Sequence, residues 1–169
     1  MIDPAYVRTM AAYNEEMNRR IYQAAARIPD EERRAPQGAF WGSLHGTLCH
    51  LVWGDSMWLS RFADWPKPDV KITRSAAMIE DFSTLAAVRE ELDTAISRWA
   101  AGVDEAWLAG EITWFSGGAN REVTGPRELL VTHMFNHQTH HRGQAHALIT
   151  RAGEKTGDTD LFLVVPGIV

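Results

Sequence analysis

Apolar residues recur at helical spacing in four separate stretches of the chain. In the first stretch, which begins after Asp3-Pro4 and ends near Pro29, spacings of three and four residues are typical of an amphipathic helix. Asp3 suits the N-cap and Pro4 the first helical position, so they predict where this helix begins. Its expected core-facing residues are Tyr6, Met10, Tyr13, Met17, Ile21, Ala24 and Ile28.

Two further stretches predict helices of similar length. Ser43 is a good N-cap residue for a second helix, which Pro66 and Pro68 stop. A third helix is predicted from about residue 83 to 101. Its expected buried face consists of Leu85, Val88, Leu92, Ala95, Ile96 and Trp99. Residues 29–40 are predicted to form a connector with one helical turn, and residues 65–80 a loop.

The last part of the chain predicts a hairpin followed by a fourth helix. β-prone residues flank Gly117-Gly118, which is typical of a tight turn between two strands. The helix is predicted to open at Thr124-Gly125-Pro126 and to reach Arg151, with Gly153 as its C′ residue. Four helices with short connections predict an all-α, antiparallel four-helix bundle, with a small β-hairpin before the last long helix.

Composition narrows the class of protein. At 169 residues and 45% hydrophobic content, we expect a single domain, residues 1–169, with a substantial core. There is no apolar run long enough for a membrane span and no apolar signal core at the N-terminus. The net charge of −5, without a Lys/Arg block, argues against nucleic-acid binding. Cys49 is the only cysteine, which excludes an intrachain disulfide and favours a cytoplasmic location.

Five of the seven histidines fall within residues 133–146 of the fourth helix. At about 100° per residue, His137 and His141 share the core-facing stripe one turn apart. Such a pair presents two imidazoles to one point in space. His133 and His140 fall on the edge of the stripe, where they would line the rim or support a ligand. His146 points the opposite way, toward solvent or packing.

A catalytic metal normally has at least three protein ligands, so a further residue should come from another helix. The second helix supplies the remaining histidines, His45 in its first turn and His50 at mid-helix among apolar residues. A lone histidine on an apolar face is more often a core residue than a ligand. The pair together with His50 favours a metal site. Cys49 diverges from His50 by about 100° and is expected to be a packed thiol.

Two segments carry a resemblance to a known family. They are HGTLCHLVWGDSMWLSRF in the second helix and NHQTHHRGQAHALITRAG in the fourth. The likeness extends to YNEEMNRRIY in the first helix, to the tryptophan-bearing hairpin and to TGDTDL near the end. The chain thus resembles the DinB/YfiT-like superfamily of small, damage-inducible, metal-binding four-helix proteins, which are distinct from the DNA polymerase of the same name.

The resemblance implies a ligand set and a range of activities. The family's metal ligands fall on His50, His137 and His141, and its HRGQ motif is complete at residues 141–144. The apolar end, LFLVVPGIV, departs from the family pattern. Members with assigned activities mostly handle low-molecular-weight thiols, as S-transferases or a thiol-dependent isomerase, and often form homodimers. We therefore expect a homodimer with a small-molecule substrate and no nucleic-acid or membrane partner.

Three neutral imidazoles leave metal positions open for a thiol or a water molecule, whose pKa the ion would lower. They suit zinc or nickel, with iron, cobalt and copper also compatible. Asp55 lies about 140° around its helix from His50, so we interpret it as a solvated or structural acid.

The first hypothesis for the function is a metal-dependent enzyme that activates a small thiol. The alternatives are a metal-dependent hydrolase and a non-enzymatic metal- or stress-responsive binding protein. Trp53, Trp114 and Phe115 are candidate pocket walls.

Overall fold

Four long helices form the body of the fold in a computed structural model that describes residues 1–117 and 119–165. The long helices are α1 (Pro4–Ala26), α3 (Leu44–Phe62), α4 (Phe82–Gly102) and α6 (Arg127–Arg151). The short helices are α2 (Asp30–Arg34), α5 (Glu105–Leu108) and α7 (Leu161–Val164), and a 3-10 helix covers Ile72–Ala77. Strands β1 (Glu111–Ser116) and β2 (Arg121–Pro126) pair antiparallel as a hairpin.

The long helices pack as the predicted antiparallel bundle. Helix α1 lies against α4 and α6, and α3 lies against the same two helices. The all-α class and the hairpin before the last long helix are therefore confirmed. The core between the helices is apolar and includes Leu48, Leu92, Ile96, Met134 and Phe135, each no more than 1% exposed.

The helix ends follow the capping residues of the sequence. The Asp3 side chain accepts a hydrogen bond from the Tyr6 amide, and Ser43 accepts one from the Gly46 amide. At the end of α6, Gly153 has a φ of +85°, and its amide donates to the Thr150 carbonyl. The next amide donates to the carbonyl of residue 149, which completes a Schellman motif.

The predicted start of α6 was wrong. Residues 124–126 belong to β2, where Thr124 pairs with Thr113 and their hydroxyl oxygens lie 2.7 Å apart. The helix begins only at Arg127, whose amide donates to the Gly110 carbonyl at the base of the hairpin. Residues 124–126, which were predicted to begin the helix, are therefore paired in the strand instead. The hairpin is otherwise as predicted, although Gly118 lies outside the described residues.

The buried face of α1 is rotated from its predicted position. Tyr6, Met10 and Tyr13 are only half-buried, whereas Asn14 and Asn18 are 1% and 2% exposed. The reason is a polar layer within the bundle, because both asparagine amides donate to Asp93 of α4 at 2.9 Å. These two hydrogen bonds join α1 to α4 across the bundle.

Two charged residues complete this layer from α4. Arg89 lies 2.6 Å from Asp55 of α3 and 2.8 Å from Asp93, and all three side chains are almost fully buried. Burial opposes a charged guanidinium, but the two carboxylates raise the pKa of Arg89. Burial raises the pKa of Asp93 to about 6, against the lowering effect of Arg89. Asp55 is therefore a structural acid, which is one of the two alternatives that its helical position left open.

No helix in the described part of the chain is both long and apolar enough to span a membrane. The predicted apolar tail begins as helix α7, where Leu161, Phe162 and Leu163 are 37%, 56% and 58% exposed. The rest of that tail, residues 166–169, lies outside the described residues.

Candidate metal centre

Three imidazoles converge between α3 and α6. One potential ligand atom from each of His50, His137 and His141 lies within 4.8 Å of the other two, so the group could hold a metal ion. The Nε2 atoms of His50 and His137 are 3.2 Å apart. Two nitrogens bound to one tetrahedral ion at about 2.0–2.1 Å would be separated by about 3.3–3.4 Å. The observed spacing therefore fits two ligands of one ion.

A hydroxyl group fixes the tautomer of His50. The Ser75 hydroxyl donates to the Ile72 carbonyl at 2.7 Å, so its oxygen is free to accept. His50 Nδ1 lies 2.9 Å from that oxygen and must carry the proton that it donates. The lone pair of His50 is therefore on Nε2, the atom that points at His137.

An amide does the same for His141. The Gln144 carbonyl oxygen can only accept, and it lies 2.8 Å from His141 Nδ1. The proton is again on Nδ1, and Nε2 keeps its lone pair. The amide nitrogen of Gln144 lies 3.2 Å from His140 Nε2, which accepts from it. The last residue of the HRGQ motif thus orients one ligand and contacts a histidine of the rim.

Gly54 makes room for the third imidazole. A Cβ atom built on Gly54 would lie 2.7 Å from Cε1 of His137, closer than real Cβ contacts occur. The ring of His137 therefore lies directly against the backbone of α3, one turn beyond His50. Its Nδ1 is buried and has no hydrogen-bond partner in the described part of the chain. Sequence analysis missed this role because a glycine within a helix gives no sign of what packs on it.

The 65–80 segment closes one side of the cluster. Trp53 stacks on His50 with 5.6 Å between ring centroids, and its indole N–H donates to the Val70 carbonyl at 2.8 Å. Trp53 is thus the predicted wall that contacts a candidate ligand. Trp114 instead packs on Trp58 of α3 at 5.8 Å, and Phe115 is 61% exposed on the hairpin.

A second wall was missed. Trp41, from the connector between α2 and α3, stacks on His50 with 3.7 Å between centroids and a 19° interplanar angle. Its backbone lies in a tight turn between Gly38 and Gly42, whose φ angles are +71° and +83°. The sequence did contain a sign of this role, namely two glycines around an aromatic pair. The glycines permit the left-handed backbone that turns Trp41 inward.

Burial keeps the three imidazoles neutral. Desolvation and, next, the charges of the neighbouring histidines lower the pKa of His50 to about 3. The same causes lower the pKa of His137 to about 3, and burial lowers the pKa of His141. At neutral pH the cluster therefore holds the unprotonated form, which is the form that binds a metal.

Two of the other histidines of α6 border the cluster without joining it, and the third lies elsewhere. His133 and His140 are exposed, and their rings lie 6.1 Å from His137 and 4.8 Å from His141 respectively. These positions match the predicted rim. His146 lies away from the cluster, with Nε2 3.4 Å from the Thr156 hydroxyl.

Residues beside His50 in the sequence point elsewhere. Cys49 is fully buried, and its thiol donates to the Ile79 carbonyl at 3.2 Å. Burial raises the pKa of this thiol. Nε2 of His45 lies 2.8 Å from the same carbonyl. Both side chains therefore anchor the segment before α4, and Cys49 is the packed thiol that was predicted.

No carboxylate joins the candidate metal-binding group within residues 1–117 and 119–165. Asp55 is paired with Arg89, and Glu15 and Glu16 bond Ser97 and Arg19. Arg142, next to His141, donates to the side chain of Asn14 on α1. This bond ties α6 to the buried polar layer rather than presenting a cation at the cluster.

Comparison with known proteins supports the same assignment. The searches of curated proteins and of solved structures found no significant match. The family model described as "DinB family" matches residues 1–165 and so covers the four helices and all three clustered histidines. The chain therefore belongs to the DinB family.

Proposed function

We propose that this protein is a metal-dependent enzyme that activates a small thiol for transfer to an electrophile. His50, His137 and His141 would hold the ion, each through Nε2. The observation that carries the proposal is the convergence of three potential ligand atoms within 4.8 Å of one another. When bound, such an ion supplies Lewis acidity, which lowers the pKa of a thiol or a water molecule.

The residues around the cluster favour a thiol over water. A metal-dependent hydrolase commonly uses a carboxylate as general base, and the described residues place none in this group. A thiol needs less help, because its pKa of about 8.5 is already close to neutrality. Trp41 and Trp53 both stack on His50 and would shield a thiol bound beside it from water. Thiol chemistry is also what the resemblance to the family implied.

The metal is proposed to be zinc or nickel. Neutral imidazole is a borderline ligand that suits both ions, and it also accepts iron, cobalt and copper. A structural zinc site normally has four protein ligands, whereas the candidate group contains three. This difference supports an ion that keeps a position open for a reactant over a purely structural ion.

A first experiment separates the three candidate functions. Untagged protein would be analysed for metal and then mixed with a panel of electrophiles, with and without low-molecular-weight thiols. Turnover that requires both metal and thiol, and that His137→Ala abolishes, is the expected result. Turnover without a thiol would establish the hydrolase instead. Stoichiometric metal without turnover would favour the binding protein.

We further propose that residues 1–169 form one cytoplasmic domain that assembles as a homodimer. A buried, unpaired Cys49 suits a reducing compartment. The exposed apolar side chains of α7, Leu161, Phe162 and Leu163, provide a surface that a second copy could cover. Sedimentation at micromolar concentration should give twice the chain mass, and a single 19.0 kDa species would contradict the dimer.

A further inference from the structure

Arg61, near the end of α3, is a half-buried cation held by aromatic rings. Its guanidinium carbon lies 4.5 Å from the ring centroid of Trp58 and 5.6 Å from that of Trp114. Among the described residues, no ion pair or hydrogen bond to a carboxylate or carbonyl group involves this side chain. Burial lowers its pKa, and no acidic group offsets that effect.

The buried arginines of this protein are bonded differently. Arg33 donates to the Ala25 carbonyl at 3.0 Å, and Arg89 lies 2.6 Å from Asp55. Desolvating a cation is unfavourable, so such groups usually have an acceptor. Stacking on two indoles offsets part of this cost for Arg61 and keeps the forked N–H donors available.

Arg61 faces the same way as the candidate metal ligand of α3. The eleven residues from His50 to Arg61, at about 100° each, return to within about 20° of the same direction. Gly54 and Met57 occupy this face between them, at about 40° and 20° from His50. The rise of the helix separates the two Cα atoms by about 16 Å along its axis.

Aromatic contacts connect the two ends of this face. The rings of His137 and His133 lie 6.1 Å apart, and His133 lies 5.1 Å from Trp58, on which Arg61 stacks. A chain of contacting side chains along α3 and α6 therefore connects the ligand cluster to Arg61.

We propose that Arg61 is the anion-binding subsite of this centre and takes the carboxylate of the thiol that reacts there. This inference rests on the proposed function. Arg61 supplies planar, paired donors that match the two oxygens of a carboxylate. With sulfur at the histidines and the carboxylate at Arg61, a ligand must span most of the distance along this face of α3. The substrate class is thus an extended thiol with an acidic group remote from its sulfur.

The test uses cobalt-substituted full-length protein, because thiolate binding to cobalt gives a charge-transfer band that reports affinity without turnover. The probes are 3-mercaptopropionate, 6-mercaptohexanoate and 11-mercaptoundecanoate, each paired with the mercapto-alcohol of equal length. The eleven-carbon acid should bind about tenfold or more tightly than its alcohol, as expected for a hydrogen-bonded charge. The two shorter acids should show no such preference, because they cannot span the distance to Arg61.

Variants assign the preference to this residue. Arg61→Gln should remove the preference for the acid and leave 2-mercaptoethanol binding unchanged, which also verifies that the variant is folded. Arg61→Lys should keep part of the preference, and Arg98→Gln, at an exposed arginine of α4, should keep all of it. Equal binding of acids and alcohols, or a preference that survives in Arg61→Gln, would overturn the subsite alone. Failure of every thiol to produce the band would overturn the proposed thiol chemistry and the subsite with it.

Discussion

The imidazole of His137 lies against the backbone of α3 at Gly54, where a Cβ atom would come within 2.7 Å of its Cε1 atom. The two residues belong to different helices, so this contact sets how closely α3 and α6 approach at the cluster. It also sets the position of a ring whose Nδ1 finds no hydrogen-bond partner among the described residues. Packing against Gly54, rather than a hydrogen bond at Nδ1, therefore orients this candidate ligand.

Replacing Gly54 with alanine should therefore weaken metal binding. The methyl group would displace the His137 ring, and we expect the metal dissociation constant to rise about tenfold or more, as for other residues that orient ligands. The matched control is Gly143→Ala on α6, because a Cβ there meets nothing within 4 Å. Alanine should stabilise either helix by up to about 1 kcal/mol. Competition with a chromogenic chelator would measure affinity, and equal affinities of the two variants would contradict this role.

Gln144 should strengthen metal binding because its carbonyl oxygen accepts a hydrogen bond from His141 Nδ1. Gln144→Met keeps a similar length but removes the acceptor at 2.8 Å from Nδ1, so the ring loses its fixed tautomer and orientation. We expect a loss of about 10- to 100-fold in metal affinity, the usual range for such partners. Ser75→Ala removes the corresponding acceptor of His50 and should act in the same direction. Unchanged affinity in both variants would show that packing alone orients the rings.

The candidate ligands could be predicted from the sequence because helical periodicity gives the direction in which each side chain points. His137 and His141 fall on one face by their spacing, and His50 stands among apolar residues of another helix. The residues that orient these ligands could not be predicted in this way. Trp41 and Ser75 lie in irregular segments without a period, and their contacts depend on how those segments fold back onto α3.

The buried charged residues also could not be predicted from the hydrophobic pattern. A hydrophobic stripe assigns Arg89 and Asp93 to the surface, yet both lie in the core because Arg89 pairs with Asp93 and with Asp55. Their asparagine partners turned the buried face of α1 away from its apolar stripe. The buried face of a helix therefore depended on polar pairs between helices, which the pattern of one helix alone does not predict.

The metal-free protein should lose stability as the pH falls below neutrality. The folded state holds the pKa of His50 and His137 near 3, whereas an unfolded histidine titrates near 6.5. Between these values the unfolded chain binds more protons, so the free energy of unfolding decreases as pH falls from about 6.5. We expect a loss of a few kcal/mol by pH 4. Urea titrations in chelator at several pH values would measure it.

The control for this dependence removes one of the titrating rings. His50→Phe should flatten the acid limb in the metal-free state, since it deletes one group whose pKa differs between the folded and unfolded chains. His146→Phe replaces a histidine outside the cluster and should leave the limb unchanged. Identical pH profiles for all three proteins would show that carboxylates, not these imidazoles, govern acid unfolding.

Removing the metal should loosen the bundle without unfolding it. An ion shared by α3 and α6 stabilises the folded state by about 4 kcal/mol when its free concentration is about 1,000 times the dissociation constant. Chelation should therefore lower the thermal midpoint by several degrees, while the apolar core between the helices keeps the chain folded. His137→Ala should melt at the same temperature with and without metal, and His146→Ala should respond like the unaltered protein. A sample that starts metal-loaded and melts unchanged after chelation would exclude an ion that bridges α3 and α6, because a ligand bound only to the folded state must stabilise it.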